Sequence, residues 1–189
     1  MTKLDVANLA LSKLNAIPMS TWDDTGKNGT QIRLHFNIAL ETVCKEVPWV
    51  DLLEVEQLGG GIEENGTNFR YEYYLPEDCL KVYEVDGYAH TPFKRTKDRL
   101  YCNVRDPFIN YVQKPDDEDI PDQVGGLAAL LLAFHIAPSI TSDHRKAGLV
   151  YEQYQLAIAT AVMQNQQQLG GESTSPGWWI DHDPEPFDY

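Results

Sequence analysis

The sequence predicts an α+β protein: a four-helix bundle with an antiparallel β-meander domain inserted between the second and third helices, and an extended C-terminal arm. Four segments carry apolar residues at three- and four-residue steps, and short alternating segments separate the second from the third. The end of the chain is rich in proline, acidic and aromatic residues. The bundle is predicted over residues 1–48 and 121–169, the β domain over 49–120 and the arm over 170–189.

The first helix is predicted over residues 4–16. Its apolar positions form one stripe: Leu4, Ala7, Leu11 and Leu14. Thr2 is placed to cap the helix, and Asp5 three residues later suits a capping box. Pro18 is expected to end it.

The second helix is predicted over residues 30–47, after a polar turn at 20–28. It also shows one apolar face: Ile32, Phe36, Leu40, Val43 and Val47. The Asn28-Gly29 pair favours a turn with positive φ, and Pro48 is expected to close the helix.

The pattern changes from helical to alternating after residue 48. Alternation predicts short strands at 53–58, 69–73, 80–85, 93–95, 99–104 and 108–113. The glycines between residues 59 and 66 are expected to form a flexible hairpin connection. The even spacing favours a meander of five or six antiparallel strands.

The third helix, residues 123–137, is apolar nearly all round and is therefore expected to be the central, most buried helix. Pro138 is expected to end it. The fourth helix is predicted over residues 143–168, with inward positions Leu149, Leu156, Ala157 and Ala161. Because neither helical half is expected to bury its stripes alone, all four helices are predicted to pack as one bundle.

The C-terminal arm differs from the rest of the chain. It holds several prolines and acids, and no Lys or Arg follows Lys146. The segment is too proline-rich for a helix and too aromatic for a plain solvated tail, which favours a docking arm with aromatic anchors for a partner. The predicted partner-binding residues are Trp178, Trp179, Ile180, Phe187 and Tyr189.

Composition excludes several classes of function. The net charge of −14 opposes an electrostatic grip on nucleic acid, which needs clustered Lys and Arg. The longest apolar run, residues 127–133, is far shorter than the roughly 20 residues that cross a bilayer. Neither a secretion signal nor a membrane partner is expected. Cys44, Cys79 and Cys102 are widely spaced, which favours buried thiols in a reducing compartment.

No motif for catalysis stands out, so the sequence predicts no enzyme, no cofactor and no metal site. His135, on the apolar third helix, is interpreted as a satisfied buried imidazole. The alternative function is a tail-associated glycan hydrolase, for which Glu63-Glu64 and the run 116–119 supply carboxylates. Both lie in predicted loops, where carboxylates keep ordinary pKa values, so a solvated acidic loop is the preferred interpretation.

A series of short motifs runs through the chain in order. It comprises Asn8-Leu9-Ala10-Leu11-Ser12-Lys13-Leu14, Val47-Pro48-Trp49, Tyr71-Glu72-Tyr73-Tyr74-Leu75-Pro76-Glu77-Asp78-Cys79-Leu80-Lys81-Val82, Ile109-Asn110-Tyr111-Val112, and the stretch from Leu127 to Thr141. In these motifs the chain resembles the tail tubular protein A family of short-tailed bacteriophages, which are head-to-tail adaptor or gatekeeper-ring proteins. The third motif is the most specific.

The resemblance implies a structural virion protein without enzyme activity or cofactor. It implies a ring of twelve copies beneath the portal protein, which joins the portal to a tail nozzle resembling tubular protein B and carries the tail fibres. The genome passes through such a ring without specific binding, as the negative charge also suggests. The Trp178-Trp179 arm departs from the family pattern and is expected to dock on the portal. A head-completion factor that works without fibres is a further alternative.

Overall fold

The computed structural model describes residues 1–63, 66–86, 91–141 and 143–171. Within them the protein is α+β, as the sequence predicts, with four helices and two three-stranded antiparallel sheets. The helices are α1 (Lys3–Lys13), α2 (Lys27–Glu46), α3 (Asp122–Ile140) and α4 (His144–Gly171). The strands are β1 (Leu53–Gln57), β2 (Tyr71–Tyr74), β3 (Cys79–Val85), β4 (Phe93–Thr96), β5 (Arg99–Cys102) and β6 (Phe108–Gln113).

Helix α1 begins at the predicted capping box. The Thr2 side chain accepts a hydrogen bond from the Asp5 amide, and the Asp5 carboxylate accepts one from the Thr2 amide. The helix ends earlier than Pro18 would require, because Asn15 adopts a left-handed conformation with φ 55°. The amide of Ala16 then donates to the Leu11 carbonyl at 3.0 Å, as in a Schellman motif.

Helix α2 begins at Lys27, earlier than predicted, and its Arg33 side chain holds the preceding loop. The Arg33 guanidinium donates to the carbonyl oxygens of Trp22 and Asp24, both at 2.7 Å. Gly29, expected in a turn, lies in the first turn of the helix. A Cβ at Gly29 would lie 2.2 Å from the Asp24 carbonyl oxygen, so this close approach requires glycine.

Helix α3 is the central helix, as predicted, and it contacts α1, α2 and α4. It runs through Pro138 to Ile140, so the expected break is wrong. Proline lacks the N–H that would bond the residue four positions back, but in the last turn this removes one hydrogen bond only. The Thr141 amide still donates to the Ala137 carbonyl at 2.9 Å.

The apolar composition of α3 is also typical of a membrane-spanning helix. Over 19 residues, with a mean hydropathy of 1.6, it is long and apolar enough to cross a bilayer by length and composition alone, which the seven-residue run 127–133 did not suggest. A core helix passes the same test. More than half of this segment is buried within the protein, as in a core helix.

The strands lie close to their predicted positions, but they do not form a single meander. The first sheet has the order β1-β6-β3, and the second has the order β2-β5-β4. The predicted hairpin between residues 59 and 66 is also wrong, because β1 pairs with β6 while β2 pairs with β5. Strand pairing is therefore mostly non-local, and β4-β5 is the pair joined by a two-residue turn.

Two apolar cores meet at the first sheet. Val112 on β6 belongs to the large core around the helices. Ile109 and Tyr111, which project from the other face of β6, belong to a second core between the two sheets. The first sheet is therefore a middle layer between the helices and the second sheet.

Candidate interaction surfaces

The five predicted partner-binding residues of the C-terminal arm lie outside the described residues: Trp178, Trp179, Ile180, Phe187 and Tyr189. Their role stays a prediction. The surfaces below belong to the part of the chain that the structure describes.

The most specific motif, residues 71–82, forms the junction between the two sheets. Its apolar members are buried in the second core: Tyr71, Tyr73, Leu75, Cys79 and Val82. Arg95 on β4 strengthens this junction, because its guanidinium donates to the carbonyl oxygens of Cys79 and Leu80 on β3. The residues of this motif therefore stabilise the fold. The family resemblance noted above rests on residues with a structural role.

Glu72 in the same motif is a buried carboxylate, which the alternating pattern did not reveal. Arg99 on the neighbouring strand β5 forms an ion pair with it. The Arg99 guanidinium also donates to the Tyr74 hydroxyl at 3.2 Å and lies 4.8 Å from the centre of the Tyr74 ring. This arrangement neutralises Glu72 and fixes the exposed Tyr74 ring on the outer face of the second sheet.

The acidic run 116–119 attaches the loop before α3 to the start of α1. The Lys3 ammonium group pairs with the Asp117 carboxylate at 3.1 Å, and the Lys3 amide donates to the Asp117 carbonyl at 2.7 Å. The Asp116 carboxylate accepts the Glu118 amide. Among the other acids proposed for glycan hydrolysis, Glu63 is exposed and Glu64 lies outside the described residues.

Two histidines that are 100 positions apart in the sequence meet between α2 and α3. The rings of His35 and His135 lie edge to face, with their centroids 5.8 Å apart. Burial, with a smaller contribution from His35, lowers the pKa of His135. Among the described residues no group of three His, Cys, Asp or Glu is placed to hold a metal ion.

The three cysteines are free and buried, as the sequence predicts. Burial raises the pKa of Cys44 to about 12, and it also raises the pKa of Cys79 and Cys102. A thiol that stays protonated at neutral pH is a poor nucleophile, so these side chains act as small apolar core residues.

An open groove of about 430 Å³ runs between α1 and α4 over the N-terminal half of α3. Its floor includes Gly126, where no atom lies within 4 Å of an added Cβ. The lining is mostly apolar: Leu9, Leu127, Leu130, Ala157 and Ala161.

Helix α4 has a row of exposed apolar side chains, which we call the α4 stripe. Leu149, Leu156 and Met163 are 58%, 74% and 61% exposed. The prediction that Leu149 and Leu156 face inward is therefore wrong, whereas Ala161 is buried and Ala157 half-buried. The helix has two apolar faces, and the face that meets the core carries Val150, Tyr154 and Ala161.

Helix α2 has a shorter exposed pair, which we call the α2 stripe. Leu34 and Ile38 are 64% and 55% exposed, one turn apart. The first sheet exposes a third apolar area, since Val55 on β1 and Phe108 on β6 are both exposed. Large apolar side chains grouped on a surface are typical of contact sites for other proteins.

Charge is distributed unevenly along the chain. Residues 49–120 carry 16 acidic and 8 basic residues, and residues 170–189 carry 5 acidic and no basic residues. The helical residues, 1–48 and 121–169, carry 8 acidic and 7 basic residues. The excess negative charge therefore lies outside the helices that bear the two stripes.

Comparison of the chain with protein-family models and with curated proteins gives no match to either.

Proposed function

We propose that this protein is a structural adaptor of a short-tailed phage virion. In this proposal, copies of the chain form a ring beneath the portal protein. The ring has no enzyme activity and binds no cofactor. The ring joins the portal to the tail nozzle, carries the tail fibres, and surrounds the channel through which the genome leaves. The virion tail is its place of action.

The observation that carries this proposal is that the excess negative charge lies outside the helices that expose the α2 and α4 stripes. Sixteen acidic residues in residues 49–120 oppose attachment of a DNA duplex, whose phosphates are held by Lys and Arg. The helices are almost neutral and expose the α2 and α4 stripes, so they can meet other proteins without strong charge repulsion. An adaptor around a DNA channel needs one surface of each kind.

The finer architecture is part of the same proposal. The four helices are a bundle around α3, and the strands between α2 and α3 are an insertion that contacts nozzle and fibres. The exposed Val55 and Phe108 support a contact role for the first sheet, because exposed strands and their edges readily accept partners. The arm, residues 170–189, docks on the portal.

The proposal is tested by mixing the purified chain with the portal protein encoded in the same genome and imaging the mixture by negative-stain electron microscopy. Multi-copy rings seated on one face of the portal are the expected result. Portal rings without added density, at protein concentrations of tens of micromolar, would contradict the proposal.

A further inference from the structure

The α2 and α4 stripes lie on helices that pack against the same central helix. Both α2 and α4 contact α3, and on each helix the buried residues occupy the face that meets the core. A surface helix of a globular protein normally presents polar residues on its outer face. Two helices with apolar side chains turned outward therefore leave two surfaces without a partner within the described residues.

The α4 stripe has the geometry of a helix-packing seam. Leu149, Leu156 and Met163 are seven residues apart, so they fall on one line along the helix. At 1.5 Å per residue this line is roughly 21 Å long. A second helix that lies along this line would cover all three side chains.

The charges beside the stripes favour a second copy of this chain as the occupant. Beside the α2 stripe, Glu41 and Lys45 neutralise each other in an ion pair at 2.8 Å. On α4, Arg145 and Lys146 contribute two positive charges and Glu152 contributes one negative charge. Two copies with a net charge of −14 repel each other through their acidic regions, and the near-neutral helical surfaces are where that repulsion is weakest.

The two stripes also determine the kind of contact. A two-fold contact that joins identical stripes would cover one stripe per copy and leave the other exposed. A head-to-tail contact, with the α2 stripe of one copy against the α4 stripe of the next, covers both and repeats around a ring. We propose that this head-to-tail contact joins neighbouring copies, an inference that rests on the proposed ring.

Disulfide trapping tests the contact directly, because the native thiols are buried and stay out of the reaction. Leu34→Cys and Leu156→Cys proteins are mixed and oxidised with diamide. We expect a mixed dimer at several times the yield of either variant oxidised alone. Equal yields in all three samples, or a higher dimer yield from one variant oxidised alone than from the mixture, would overturn the head-to-tail contact.

A matched control replaces one partner. Lys94 is exposed on β4, far in the chain from both stripes, so Lys94→Cys mixed with Leu34→Cys measures collisional cross-linking. A yield from this control as high as that from the Leu34 and Leu156 variants would also overturn the proposal. The double variant Leu34→Cys, Leu156→Cys is expected to give a ladder of higher oligomers.

A second experiment separates failure of the contact from failure of the adaptor function. Ile38→Gln and Leu156→Gln change exposed side chains, so both variants are expected to fold. We expect each to lower the yield of rings on the portal by at least tenfold. If the variants form rings at the wild-type yield, the head-to-tail contact is rejected and the adaptor function is not affected. If the wild-type chain does not bind the portal, the adaptor function itself is rejected.

Discussion

His135 on α3 lies edge to face with His35 on α2, and the two ring centroids are 5.8 Å apart. The Phe134 ring centroid lies 5.7 Å from that of His135 and 4.6 Å from that of Tyr151 on α4. A ring cluster thus links three helices, and it contains two imidazoles at a half-buried position. Positive charge is unfavourable there because burial and the second imidazole both oppose it.

Acidification is expected to destabilise the fold through His135. Its folded pKa is lowered from the ordinary 6.5, so the unfolded chain takes up the proton first as the pH falls. The stabilising contribution is present above pH 6.5 and is lost as the pH falls toward the lowered folded value. Urea unfolding between pH 7.5 and 5 measures this slope. His135→Phe should flatten it, and an unchanged slope would show that His135 is not the titrating group.

The buried Glu72 is expected to depend on Arg99. Arg99→Met should cost roughly 3 kcal/mol of unfolding free energy, because it leaves a buried carboxylate without its counter-charge. The double variant Glu72→Gln, Arg99→Met should recover part of this loss. Arg70→Met, at an exposed position beside Tyr71, is the control and should change stability by less than about 0.5 kcal/mol. Additive losses in the double variant would argue against coupling.

Two helical glycines are expected to respond to alanine in opposite directions. Gly29→Ala should destabilise the protein by about 2 kcal/mol or more, because the new Cβ meets the Asp24 carbonyl. Gly126→Ala enters open space in the groove and should stabilise α3 by up to about 1 kcal/mol. Thermal unfolding of the two variants decides this, and a lower melting temperature for Gly126→Ala would mean that the groove needs its open floor.

The arm is expected to contribute binding without contributing stability. A chain truncated after Gly171 should unfold at the same urea concentration as the full chain, since both apolar cores lie within the described residues before that point. Its affinity for the portal protein should fall at least tenfold, because the aromatic anchors are removed. Equal affinity of the truncated and full chains would reject the docking role.

Sequence patterns predicted the secondary structure well where it depends on residues close together in the chain. The capping box at Thr2 and Asp5 and the burial of α3 are examples. The same patterns failed at Pro138, because the cost of a proline depends on how many helical residues follow it. They also failed for α4, where two apolar faces compete and the sequence does not reveal which one meets the core.

Non-local pairing was the main feature that the sequence did not reveal. The meander prediction assumed that neighbouring strands pair, but β6 lies between β1 and β3. The Glu72–Arg99 and His35–His135 contacts depend on the same long-range arrangement. Of the predicted site, the arm residues stay a prediction, whereas the α2 and α4 stripes became visible only once the buried face of each helix was known.

The central claim is that the protein works as a multi-copy collar on the portal. Native mass spectrometry of the portal mixed with an excess of the chain measures this most directly. The account predicts a mass increase of about twelve times 21.4 kDa per portal ring. A portal mass that does not change, or that increases by a single copy, would contradict it.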